Sequence, residues 1–158
     1  MIRPAQAADI PAIYQMIRDL ATYERGLHEV SATENDLRAA LLAAQPSLFA
    51  HVADDGGRAV GFALWFLSYS TWAGRHGIYL EDLYVKPERR GQGHGRALLA
   101  ELARICVERG YQRLEWSVLD WNSPALRFYE SLGAVPMDEW TVHRLTGPAL
   151  HALAEGGR

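Results

Sequence analysis

Residues 78–99 constrain the fold more than any other stretch: Ile78-Tyr79-Leu80-Glu81-Asp82-Leu83-Tyr84-Val85-Lys86-Pro87-Glu88-Arg89-Arg90-Gly91-Gln92-Gly93-His94-Gly95-Arg96-Ala97-Leu98-Leu99. The first eight residues are mostly β-branched, aromatic or aliphatic, the composition of a buried strand, and Pro87 ends it. From Gly91 to Gly95 every second residue is glycine, which lets backbone approach a ligand closely and permits positive φ. A helical pattern follows from Ala97. Backbone amides at a helix N-terminus point outward and form an anion site. Arg89, Arg90 and Arg96 add charge that can pair with phosphate. Strand, basic glycine turn and helix together predict a diphosphate cradle.

The spacing narrows the kind of cradle. A dinucleotide fingerprint needs Gly-x-Gly-x-x-Gly, and here the third glycine comes one residue early. A P-loop ends in Gly-Lys-Ser/Thr, whereas Gly95 is followed by Arg96 and Ala97. What fits is Arg-x-x-Gly-x-Gly, as Arg90-Gly91-Gln92-Gly93-His94-Gly95. This segment, between a strand and a helix, resembles the acetyl-CoA pyrophosphate loop of the GNAT acetyltransferase superfamily. The alternative is a glycine-rich surface turn.

At 158 residues, 49% apolar and 22% charged, the chain is expected to form a single domain over 1–158 with a real core. A net charge of −3 argues against a nucleic-acid partner, which calls for a basic face. The lone Cys106 excludes an internal disulfide and reads as a small core residue. No apolar run approaches the roughly 18 residues of a membrane span, and Met1-Ile2-Arg3-Pro4 leads straight into a helix, so a cytoplasmic protein without a membrane partner is expected. The only low-complexity segment is the tail Gly156-Gly157-Arg158.

Ile2-Arg3-Pro4 reads as a first strand. Asp9 is a candidate N-cap, with Pro11 in the first turn of a helix over 8–23. Thr33 and Asp36 resemble a capping box opening a second helix, which runs to 42. Strands are expected over 47–53 and 59–69, joined by Asp54-Asp55-Gly56-Gly57 as a hairpin turn. The helix after the glycine turn buries Leu98, Leu102 and Ile105 and stops at Gly110. A strand over 114–119 follows, then a short helix capped by Ser123 with Pro124 at its first position, a closing strand pair over 135–146 and a last helical turn or two over 148–155. The order is that of a mixed α/β (α+β) chain.

Asn122-Ser123-Pro124-Ala125-Leu126-Arg127-Phe128-Tyr129-Glu130-Ser131-Leu132-Gly133-Ala134 carries the second part of the GNAT resemblance, about 30 residues after the first. The two segments imply the GNAT fold: a mixed, mostly antiparallel central sheet flanked by helices, with a splayed central strand pair forming the CoA cleft. Tyr79-Leu80-Glu81-Asp82-Leu83-Tyr84-Val85, with Ala21-Thr22-Tyr23-Glu24, Tyr69, Trp72 and Asp120-Trp121, looks like the diamine (spermidine/spermine) acetyltransferase branch. That resemblance implies acetyl-CoA as co-substrate and a small-molecule amine as acceptor. Leu83, Tyr84 and Val85 would pair with the pantetheine arm. Arg90, Gly91, Gln92, Gly93, His94, Gly95 and Arg96 would hold the pyrophosphate. Asn122, Ser123, Pro124 and Ala125 would flank the CoA, and Tyr23, Glu24 and Glu81 would face the amine. Tyr129 would protonate the departing thiolate. A homodimer, in contact through the closing strands, is also implied.

The chemistry calls for such a set. An alkyl ammonium has a pKa of about 10.4, so baring its lone pair at pH 7 costs roughly 4–5 kcal/mol, and a base is useful. Glu81 is the candidate, since a carboxylate desolvated in an apolar strand is pushed towards the range of a general base. Glu81 acting only as a binder of the cation is the other reading. A strand places Glu81 and Asp82 on opposite faces unless a bulge intervenes. Tyr129 beside Phe128 reads equally as core; the resemblance makes it a donor. An amide of the central strand would serve the carbonyl oxygen. The six histidines form neither His-x-His nor His-Glu-x-x-His, so no metal is expected.

One departure bears on the acceptor. Ser70 stands where the polyamine enzymes carry an acid, and Asp138-Glu139-Trp140 is short. A polycation needs several spaced carboxylates, so a diamine or lysine-like amino acid is favoured. A protein lysine or N-terminal acetyltransferase and a non-catalytic acyl-CoA sensor are the alternatives.

Overall fold

The computed structural model describes residues 1–156; Gly157 and Arg158 of the low-complexity tail lie outside the described residues. The chain forms two compact units, residues 1–119 and 120–158. The first unit is a five-stranded sheet in sequential order, built from β1 (Ile2–Pro4), β2 (Phe49–Asp55), β3 (Arg58–Ser70), β4 (Arg75–Val85) and β5 (Leu114–Trp116). The first four strands pair antiparallel, and β4 pairs parallel with β5. Helices α1 (Ile10–Tyr23), α2 (Glu34–Leu41) and α3 (His94–Arg109) flank it. Ile10, Ile13 and Met16 of α1 pack with Leu37, Val52, Phe62, Leu64 and Tyr84 in one cluster. Leu98, Leu102 and Ile105 of α3 are buried as their spacing predicts.

Local chemistry explains most boundaries. Thr33 and Asp36 form the expected capping box, with Asp36 N–H donating to Thr33 Oγ1 at 3.1 Å and Thr33 N–H to Asp36 Oδ2 at 2.8 Å. Gly110 caps α3 in the left-handed conformation at φ 71°. Asp9 differs from expectation. It precedes α1 but makes no side-chain cap there; its carboxylate accepts from Gln6 N–H and from both Arg3 terminal nitrogens. Arg3 also donates to Asp54 at 2.8 Å, tying β1, the α1 entry and the β2 end together. Gly61 allows β3 to lie close to β4, since a Cβ there would meet Tyr84 O at 2.9 Å.

Four other expectations are corrected. α3 begins at His94, not Ala97, because Gly93 at φ 84° lets the chain turn directly into the helix. The fifth strand stops at Trp116 instead of reaching 119, because β4 and β5 pair only from Ile78↔Leu114 to Leu80↔Trp116. In the second unit α4 (Ser123–Ser131) is capped by Asn122, whose Oδ1 accepts from Ala125 N–H; Ser123 and Pro124 are already helical. α5 (Gly147–Gly156) closes the chain. No strand pair forms over 135–146: no partner strand takes up its backbone, and Val135, Met137, Trp140 and Val142 are exposed.

Candidate active site

The β3–β4 ladder carries a bulge where the chemistry was expected. Leu64 lies opposite Asp82 and Trp65 opposite Leu80, which leaves Glu81 as the extra residue. Cross-strand partners share a face, so Asp82 joins the face of Leu64, in the cluster that α1 covers. Without the bulge strict alternation would have turned Asp82 to the other side.

This decides which carboxyl is desolvated. Glu81 is exposed and Asp82 half-buried. Burial first, then the charges of Glu81 and Glu24, push Asp82 up to about 6. The expectation of a desolvated carboxylate in the strand is met by Asp82 instead of Glu81. Glu24 follows α1; it is exposed, yet the protein crowding its carboxyl pushes it up as well. Tyr23, the last residue of α1, is half-exposed. The fold thus brings Glu24, Glu81 and Asp82 into one electrostatic group from positions more than fifty residues apart in sequence. Sequence reasoning missed Asp82 because the signal was a bulge, which depends on strand register.

Beyond Leu80 the two parallel strands part. Leu83, Tyr84 and Val85 remain in β4 and pair with Ala63, Phe62 and Gly61 on one side, while β5 no longer follows on the other. In such a strand alternate N–H and C=O groups face the opening. Tyr79 hydroxyl and Ser117 Oγ meet at 2.7 Å close to where the strands part.

The glycine turn follows β4. Gly91 and Gly93 have φ of 75° and 84°, and an added Cβ would meet no atom within 4 Å at either. The turn therefore presents open backbone, as a cradle requires. Ala97 N–H closes the first α3 turn onto Gly93 O, so the amides before it lack intrahelical partners. Arg90 Nε donates to Val85 O at 2.9 Å and its guanidinium lies 5.3 Å from the Tyr84 ring centroid, which anchors the turn to the strand end. Gln92 and Arg96 are exposed beside it, and Gly95 lies in the first helical turn. Arg89 is taken by Asp55 of the β2–β3 hairpin at 2.6 Å, so its first task is structural. His94 buries Nε2 without a hydrogen-bond partner, so this nitrogen does not reach water.

In the second unit Asn122, Ser123, Pro124 and Ala125 form the N-terminal turn of α4. Tyr129 stands on the same helix, its ring 5.5 Å from that of Phe128. Cys106 is buried, and burial pushes its thiol up, away from the reactive thiolate. Among the described residues no group of three His, Cys, Asp or Glu gathers to hold a metal, and no helix is long and apolar enough to cross a membrane.

A mixed sheet opening beside an anion-receiving turn at a helix start is the architecture of a GNAT-type acyltransferase. An integron cassette protein from the mobile metagenome of V. cholerae superposes with a TM-score of 0.80 at 27% identity, over 98% of this chain and 97% of that one. The signature of the Acetyltransferase (GNAT) family matches residues 10–134. The chain belongs to the GNAT acetyltransferase family and is an N-acetyltransferase. A thialysine N-epsilon-acetyltransferase of Bos taurus is 40% identical over 98% of this chain and 96% of its own length. An L-ornithine N5-acetyltransferase of Arabidopsis thaliana is 31% identical over 96% and 86%.

Proposed function

We propose that the protein transfers the acetyl group of acetyl-CoA to the side-chain amine of a small basic amino acid of the thialysine, lysine or ornithine type. The observation that carries this reading is the placing of Glu24 and Glu81 close enough to Asp82 for both charges to raise it, an acidic group that favours a cation beside it. The named activities of the two relatives act on terminal amines of amino acids, and a short acceptor agrees with the neutral Ser70. GNAT acetyltransferases use acetyl-CoA, and the open backbone at Gly91 and Gly93 fits a diphosphate. On this reading Arg90 to Arg96 hold the pyrophosphate, Leu83 to Val85 pair with the pantetheine arm, and Asn122 to Ala125 flank the carrier, which supplies an acetyl thioester. Residues 1–158 act as one catalytic domain, and the protein works in the cytoplasm as a homodimer; the exposed apolar side chains over 135–146 give a second copy something to cover.

Glu24 and Tyr23 receive the ammonium at the end of α1. The proton passes to the Glu81–Asp82 pair, directly or through water. Moving it from an alkyl ammonium to an ordinary aspartate is uphill by about 9 kcal/mol, but by only about 6 kcal/mol to a carboxyl near pKa 6. The shift at Asp82 therefore removes about a third of that cost. Tyr129 donates its phenolic proton to the departing thiolate, a transfer uphill by about 2 kcal/mol. An amine panel with acetyl-CoA, read as free thiol, tests the proposal. Thialysine, lysine and ornithine are expected to turn over faster than spermidine, and faster than a lysine-containing peptide. Preference for the peptide, or thiol release with none of the amines, overturns it.

A further inference from the structure

Helix α1 ends in a pair of backbone hydrogen bonds. Gly26 N–H donates to Ala21 O at 2.8 Å and Arg25 N–H to Thr22 O at 3.1 Å. This is a Schellman motif, in which the turning residue takes left-handed backbone and is usually glycine. Helix α3 closes with the same two bonds around Gly110, at φ 71°. In α1 the turning residue is Arg25, at φ 63°, the one non-glycine residue with positive φ among the described residues. The glycine comes one position late. Gly26 has φ −124°, which calls for no glycine, and a Cβ there would meet Glu29 Oε2 at an ordinary 3.5 Å. The chain thus keeps a side chain at the position where glycine would turn without strain. Backbone strain retained in this way collects at functional sites. The place agrees: Arg25 is exposed and directly follows Glu24, whose charge reaches Asp82. The C-terminus of a helix is also the negative end of its dipole. Glu24, Glu81 and Asp82 with that dipole favour an ammonium, and repel a carboxylate unless a cation accompanies it.

We propose that Arg25 reads the α-carboxylate of the acceptor, its guanidinium pairing with that group while the acceptor's side-chain amine lies beside Glu24 and Asp82. Arg25 can act so only on an amino-acid acceptor, and here the inference rests on the function proposed above. A guanidinium matches a carboxylate with two parallel hydrogen bonds, which adds direction as well as charge. A diamine brings a second cation to the same place and is repelled, so one residue both favours the amino acid and disfavours its rival.

The test compares L-lysine with L-lysinamide, which keeps the side-chain amine and replaces the carboxylate by a neutral carboxamide. The full-length protein and acetyl-CoA are used, and kcat/KM is read as free thiol. The parent is expected to favour lysine by at least about tenfold. Arg25→Gly suits the left-handed backbone, so it is expected to melt at or above the parent. It is also expected to lower kcat/KM for lysine at least about tenfold, chiefly through KM, and to bring the lysine-to-lysinamide ratio close to one. Arg25→Lys is expected to restore part of that ratio. A parent indifferent to the carboxylate, or a glycine variant with the parent's ratio, overturns this inference and leaves amine acetylation standing. A glycine variant that melts well below the parent shows the arginine serving the fold and overturns it too. Thiol release with neither compound in the parent overturns the proposed function and this inference with it.

Discussion

Leu64 and Asp82 sit opposite one another across the β3–β4 ladder, one rung past the bulge. A carboxyl group thereby shares a face with a core leucine, at a cost in stability.

That cost has a definite pH dependence. The Asp82 carboxyl titrates near 6 when folded against an ordinary 3.8. Below the ordinary value both states are protonated and no penalty exists. It grows as pH rises from about 4 to about 6 and is complete above that, at up to about 3 kcal/mol by linkage. Asp82→Asn is expected to melt higher than the parent at pH 8 by the equivalent of about 1–3 kcal/mol, the gain vanishing near pH 4, while acetylation slows at least about tenfold. Melts at pH 4, 6 and 8 with a thiol-release assay check both; a gain independent of pH refutes the burial argument.

Gly93 at φ 84° opens onto empty space. Gly93→Val places a branched side chain there and forces a left-handed conformation that costs roughly 1–2 kcal/mol. Calorimetry is expected to show acetyl-CoA binding lost or weakened by more than about a hundredfold, about 2.7 kcal/mol, well beyond the loss in melting stability. Unchanged affinity would reject the cradle.

Tyr129→Phe keeps the ring beside Phe128 and removes only the hydroxyl. Turnover is expected to fall by about 10²–10⁴-fold, the usual contribution of a positioned acid, with acetyl-CoA affinity nearly unchanged. Equal turnover in the variant removes Tyr129 from the chemistry.

His94 has its Nε2 buried and without a partner. An unsatisfied polar atom of this kind costs about 1–3 kcal/mol. His94→Leu keeps the backbone amide that the cradle would use, and is expected to fold, to match or exceed the parent in chemical denaturation and to retain acetyl-CoA affinity. A collapse in affinity would show that the imidazole serves the ligand.

Local signals were legible where they act over a few residues. The capping box at Thr33, the stop at Gly110, the α3 stripe and the strand–turn–helix order of the glycine cradle all follow from bonds made within a turn or two. Longer-range choices were not. Arg89 reads as a phosphate ligand until Asp55 is seen to hold it, and 135–146 reads as strands although no neighbour supplies a ladder.

From residue order alone came the family likeness and the glycine turn between a strand and a helix, because each depends on side-chain type at fixed short spacing. Tertiary structure decided that Asp82 shares the face of Leu64, where β4 and β5 part, and that Trp65 hydrogen-bonds His51 across the sheet. A one-residue bulge exchanges the faces of a strand without changing its composition, so only the paired sheet tells Asp82 from Glu81.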